Sequence, residues 1–199
     1  MWISPGTQDG IKSWRVIGSP KKGELHRCNE KGEQMEKKFG VFKTVEELNR
    51  AAAAQKAEGD EEALIALAIE NGLDREDAED YMDGAIDKLC IPYMAAIAKV
   101  NLEAKELELK SQLLDWKDYL IQIMTEYQGD KLNNAVFDPD KKLLDVMAKG
   151  LKLASENRIQ VDKRIIKAAG LPDSAAYIGM CGRDDLRQII MSYYLEGAE

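Results

Sequence analysis

Residues 59–87 read GDEEALIALAIENGLDREDAEDYMDGAID, and the fold turns on how this stretch is parsed. Asp60 stands where a helix N-cap accepts backbone N–H bonds, and Leu64, Leu67 and Ala68 follow on one helical face. Asn71-Gly72 stops that helix. Asp74 is placed to cap a third, shorter helix ending near Gly84. Ala68, Gly72, Leu73 and Ala78 fall at the spacings a helix-turn-helix uses for packing and for its turn. The expectation is an all-α, predominantly helical fold.

The same stretch holds the charge. It carries eleven carboxylates (Asp60, Glu61, Glu62, Glu70, Asp74, Glu76, Asp77, Glu79, Asp80, Asp83 and Asp87) and one cation, Arg75, a balance of about −10. The whole chain of 199 residues carries −8, so the remainder sums to about +2. The acidity is a block, not a general property of the surface. A DNA-reading second helix would need cations to meet phosphates, and DREDAEDYMD has the opposite sign.

Working outward, Thr44-Val45-Glu46-Glu47 is a capping box that opens the first helix, which runs to about Glu58 and stops at Gly59. A fourth helix is expected from Ala85, to be kinked or restarted by Pro92. From Tyr93 to Tyr127 runs the longest periodic stretch. One stripe holds Ile97, Val100, Ala104, Leu107, Ser111, Leu114 and Ile121. A second holds Leu109, Leu113, Trp116, Leu120, Ile123 and Tyr127. Two apolar stripes mean contact on more than one side, so 93–127 is expected to be a long central helix or a helix pair, with charged 103–110 projecting into solvent. Residues 130–137 read as a loop. Asp138-Pro139-Asp140 then opens a helix with Pro at its first position, running to about Asn157 with Leu143, Leu144, Met147 and Leu151 inward. Asp162 caps a short helix to Gly170, Ser174–Ile178 fits one helical turn, and Asp184 caps a last helix carrying Leu186, Ile189, Ile190 and Tyr193.

Residues 1–40 differ, with eight cations, five acids, six glycines and no helical period. They read as loop with a short strand at Trp14–Ile17. Codons for Lys31-Gly32-Glu33, just before Met35, can spell a bacterial ribosome-binding site in frame. Residues 1–34 are therefore expected to be either non-native upstream sequence or a flexible arm, and 35–199 the helical domain. Within it lie acidic helices over 44–90, the long helix over 93–127 and C-terminal helices over 139–195. No apolar run approaches 18 residues, and the N-terminus has no apolar core of a secretory signal. Three cysteines, odd in number and far apart, read as reduced thiols of a cytoplasmic protein.

Catalysis has little to work with. His26 is the single histidine, and a Ser–His–Asp or Cys–His arrangement would have to use it. His26 and Cys28 fall short of the four ligands of a zinc site, and the acids around Asp74 lack the order of a calcium loop. Carboxylates crowded on a short solvated helix have nothing to raise their pKa for acid–base work. There is no phosphate-binding glycine loop, and the acids following Gly182 argue against an anion nest there. No enzyme, cofactor or metal is expected.

Glu76, Asp80 and Asp83 recur at i, i+4 and i+7 with Asp77 at the edge, spanning roughly 10 Å. Such a row imitates a short phosphate run and fits a basic groove; an ordinary solvated face accounts for the same residues. The candidate partner-binding set is Asp74, Glu76, Asp77, Glu79, Asp80, Asp83 and Asp87. A weaker basic bias follows over 141–190, with ten cations against six acids. Lys163, Arg164, Lys167, Arg183 and Arg187 form the candidate set for nucleic-acid contact, with ordinary helix-surface charge as the alternative.

Residues 35–84, MEKKFGVFKTVEELNRAAAAQKAEGDEEALIALAIENGLDREDAEDYMDG, resemble the opening of small acidic accessory proteins carried by bacterial phages and mobile elements, a type found among inhibitors of RNA-guided CRISPR nucleases. The resemblance carries no catalytic motif and transfers no residue role. It implies a non-enzymatic anti-CRISPR inhibitor that acts in the bacterial cytoplasm on an effector–guide RNA complex, whose nucleic-acid channel is strongly positive. A nucleic-acid accessory protein using the C-terminal cations is the alternative, and self-association through the long helix is a further expectation.

Overall fold

The computed structural model describes residues 38–172 and 176–196. The expectations for the Trp14–Ile17 strand, the His26–Cys28 pair and a start at Met35 lie outside these residues. The described chain is predominantly helical, as the periodicity required: nine helices and one two-stranded sheet. None of the helices is long and apolar enough to cross a membrane.

Three helices form the first layer: α1 (Val45–Glu58), α2 (Glu61–Glu70) and α3 (Arg75–Asp83). Thr44 caps α1 by accepting from Glu47 N at 3.2 Å, and Glu47 reaches back to accept from Lys43 N at 2.8 Å. Asp60 caps α2 by accepting from Ala63 N at 2.9 Å. The tight turn between α2 and α3 is present. Gly72 makes it with a left-handed backbone, φ +76°, and a Cβ there would come within 2.8 Å of Leu102 and 2.9 Å of the Ala98 carbonyl. Gly72→Ala is therefore expected to cost about 2 kcal/mol or more, since the left-handed conformation alone costs roughly 1–2 kcal/mol for a residue with a Cβ. Urea unfolding of the variant measures it; an unchanged midpoint would contradict this packing.

The expected fourth helix from Ala85 is not formed. Residues 85–89 are bends, followed by a segment held where the Asn49 side chain donates to Cys90 O at 2.9 Å and accepts from Cys90 N at 3.2 Å. Pro92 instead opens α4 (Pro92–Glu106) at its first turn, where the missing N–H costs nothing. The stretch 93–127 is the helix pair, not one long helix: α5 spans Gln112–Glu126. Glu108 and Ser111 at φ 48° and 50° turn the chain between them. No glycine or proline announces that break, so the heptad spacing reads straight through it. Nor does 103–110 simply project into solvent, because Ala104 is buried and Glu103 is engaged in the interior.

Residues 131–137, expected as loop, form α6 (Lys131–Phe137), which buries Leu132, Ala135, Val136 and Phe137. Its tertiary burial outweighs a sequence poor in helix signals. Asp138-Pro139-Asp140 is a turn, closed by Lys141 N donating to Asp138 O at 3.1 Å, so α7 begins later, at Leu143–Glu156. On α7 the inward residues are Leu143, Val146, Met147 and Gly150; Leu144 and Leu151, expected inside, are exposed. Next come β1 (Ile159–Gln160), α8 (Lys163–Ala168), β2 (Tyr177–Ile178) and α9 (Arg183–Leu195). Tyr177 and Ile178 thus pair as a strand where a helical turn was expected. Gly182, not Asp184, is the N-cap of α9, with Asp184 and Asp185 in its first turn.

The central position falls to α4. Its Ala95 and Ala98 join the core built by α1–α3, while Ala96, Val100 and Ala104 join the core of α5, α6, α7 and α9. The second stripe of the sequence pattern belongs to α5, which buries Trp116, Leu120 and Ile123.

Candidate protein-interaction surface

The acidic residues ride on the helix-turn-helix. Asp74 stands at the N-cap of α3 but makes no side-chain cap bond, which leaves its carboxylate outward. Asp74, Glu76, Asp80, Asp83 and Asp87 are exposed; Asp77 and Glu79 are half-buried. Ala78 and Tyr81 supply the buried face of α3, which forces the intervening acids to the other side. Asp87 lies in the bend after α3, placed by the Asn49–Cys90 clamp.

Little inside the chain neutralises this surface. Arg75 is taken by Glu79 at 2.6 Å, which raises the guanidinium pKa above its ordinary value through that hydrogen bond and charge. Lys56 donates to the Tyr81 carbonyl at the end of α3 and lies 4.4 Å over the Tyr81 ring. A cation at a helix C-terminus is favoured by the dipole. Among the described residues, Asp74, Glu76, Asp80, Asp83 and Asp87 make no ion pair. Ile69, more than half exposed on α2, is the large apolar residue left in solvent on this unit. Cys90 is buried, and burial with the nearby Asp77 charge pushes its thiol up to about 12, away from the thiolate that a nucleophile needs.

Among the described residues no hydrogen bond or ion pair joins the cations of α8 to those of α9. Arg164 folds back on Asp162 through two bonds of 3.1 and 2.9 Å. Arg187 pairs with Glu126 at 3.0 Å, holding that carboxylate below its ordinary range. Arg183 lies 5.1 Å over the Tyr119 ring. Lys163 and Lys167 are exposed on α8. Among the described residues no group of three His, Cys, Asp or Glu could hold a metal ion.

One polar cluster was missed at the sequence level. Lys99 pairs with Glu103 at 3.0 Å and donates to the Val136 and Lys141 carbonyls at 2.9 and 2.5 Å. Burial lowers its pKa, and Glu103 opposes that shift. The other Glu103 oxygen accepts from Leu143 N at 2.6 Å, so one carboxylate starts α7 and neutralises the lysine of α4. Nearby, Tyr193 accepts from Lys142 N and donates to Asp145, and burial raises its phenol to about 12. The Lys99–Glu103 spacing of i, i+4 was visible in the chain, but it is also the spacing of countless surface pairs.

Fold and surface together define a predominantly helical domain that presents an acidic helix-turn-helix to solvent. No family model, curated protein or solved structure matches the chain.

Proposed function

We propose that the protein is a non-enzymatic inhibitor that binds an RNA-guided CRISPR effector nuclease through its acidic helical surface and blocks DNA binding or cleavage. The observation that carries this reading is the α3 row: Glu76, Asp80 and Asp83, exposed and without an ion pair in the described chain. Three charges over roughly 10 Å of helix come within a factor of two of one nucleic-acid strand, which carries one per ~3.4 Å of axis. A basic channel built for a nucleic acid accepts such a row, and phosphates repel it. The step from a basic groove to this class of nuclease rests on the resemblance of residues 35–84 to phage and mobile-element accessory proteins. Action in the bacterial cytoplasm follows from the same reading. The accessory-protein alternative draws less support, because Arg164, Arg183 and Arg187 are each engaged within the chain. A cleavage assay with and without the protein tests the proposal. Full cleavage across effector types, with the protein itself shifting DNA, would replace it with the alternative.

A further inference from the structure

The turn between α4 and α5 is strained. Glu108 and Ser111 both hold positive φ, 48° and 50°, where a side chain with a Cβ crowds the backbone and glycine is the usual choice. Backbone kept in such conformations collects at ligand clamps and other functional sites. The surrounding hydrogen bonds fix the turn all the same. Leu107 N, Glu108 N and Leu109 N donate to the carbonyls of Glu103, Lys105 and Ala104 at 2.9, 3.1 and 3.1 Å, and Leu114 N donates to Ser111 O at 2.9 Å. This backbone frames a shallow cavity of about 420 Å³ between the end of α4 and the start of α5. That is toward the small end of the ~300–1,000 Å³ usual for small-molecule sites.

The lining is of two kinds. Ala104, Leu109 and Leu114 are apolar, and Leu114 is, among the described residues, the one exposed large hydrophobic of α4 and α5. Lys105, Lys110 and Lys117 are cationic, with Glu108 as the one lining carboxylate. Lys117 is answered from within the chain, by Asp118 at 2.8 Å and the Asn101 side-chain oxygen at 3.4 Å. Lys105 and Lys110 are exposed and make no ion pair among the described residues. These features narrow the occupant. Nucleic acid would use aromatic platforms, and the lining holds none. An anionic membrane draws on roughly 4–8 Lys or Arg, more than the two left free here. An inorganic anion would leave the leucines in water. Two free cations opposed by one acid match a single negative charge better than a doubly charged phosphate.

We infer that the α4–α5 cavity binds a small aliphatic carboxylate, its chain on Ala104, Leu109 and Leu114 and its headgroup held by the ammonium groups of Lys105 and Lys110. The apolar stems of the two lysines add to the surface that covers the chain while their charged ends stay in water. The strained turn sets Leu109 and Lys110 at the cavity together with Lys105 from the last turn of α4. The site shares no residue with the acidic row of α3, so it stands or falls independently of the inhibitor reading.

Titration of the full chain with octanoate, followed by amide NMR, tests this. Saturable shifts centred on residues 104–117 are expected. Acetate, the headgroup without the chain, should bind roughly tenfold more weakly or less, because it gives up the apolar contact. Octyltrimethylammonium, the same chain with the opposite charge, should not shift these amides. Lys105→Gln with Lys110→Gln is expected to weaken octanoate binding by roughly fivefold with the same circular dichroism, because both ammonium groups are exposed and unpaired. Glu108→Gln should strengthen it about twofold by removing the opposing carboxylate. Glu76→Lys with Asp80→Lys should leave it unchanged. No saturable shift at 104–117, or a double Gln variant that binds octanoate like wild type, would overturn the inference. So would an ammonium amphiphile that binds there as well as octanoate, or inorganic phosphate that binds there more tightly.

Discussion

Reversing Glu76, Asp80 and Asp83 to Lys is expected to weaken binding to the basic partner by at least a hundredfold and to abolish inhibition, while the domain stays folded. All three side chains are exposed, and none carries an ion pair within the described chain. At roughly 1 kcal/mol per reversed contact, three reversals come to about 3 kcal/mol, and every 1.4 kcal/mol is tenfold. Folding has little to lose. Acids at i, i+4 and i, i+3 repel by a few tenths of a kcal/mol per pair, and reversal leaves like-charge repulsion of similar size. The neutral set Glu76→Gln, Asp80→Asn and Asp83→Asn relieves that repulsion, so it should melt no lower than wild type yet still bind weakly. Asp77 is left in place because it is half-buried next to Cys90. A folded triple-Lys protein that inhibits at full strength would remove the mimicry claim, and a salt-insensitive affinity would weaken it.

The largest loss of stability is expected from Glu103→Ala. Glu103 compensates Lys99 in a site where the two side chains keep only 15% and 20% of their exposure. It also accepts the Leu143 N–H that opens α7. Removing one member of a buried pair costs about 3–5 kcal/mol, because the other charge stays behind without its partner. For a domain of this size that is a fall in Tm of roughly 6–20 °C. The double variant Lys99→Met with Glu103→Leu should recover most of it, since a well-packed apolar pair replaces an ion pair at little cost. A Glu103→Ala protein that melts within a degree or two of wild type would show that the hub contributes little. Inhibition measured well below the transition should survive both changes, which separates this stabilising role from the acidic surface.

The helix-turn-helix was legible because its signals are local. Asp60 caps, Asn71-Gly72 stops, and Gly72 is the residue that tolerates both a positive φ and the approach of α4. The acidic row was legible for the same reason: the period of α3 alone assigns Glu76, Asp80 and Asp83 to one side. The break at 107–111 was not, because it is made by Glu108 and Ser111 at positive φ, a conformation that neither residue type favours. Helix α6 escaped notice because seven residues show barely two turns of periodicity, and its stability comes from burial against α4. The inward face of α7 was read half correctly: Leu143 and Met147 are inside, but Val146 and Gly150 stand where Leu144 and Leu151 were expected, and Gly150 is there because the Trp116 ring leaves no room for a Cβ. Capping and periodicity locate helices; which side of a helix is covered depends on partners far away in sequence.

The most direct measurement is competition on a purified effector–guide RNA complex carrying a fluorescent target duplex. The protein, titrated in, should lower the anisotropy by displacing the duplex, and raising the salt should shift the midpoint to higher concentration. The Glu76, Asp80 and Asp83 reversal should displace nothing. Unchanged anisotropy at saturating protein, together with direct binding of the labelled duplex by the protein alone, would contradict the account.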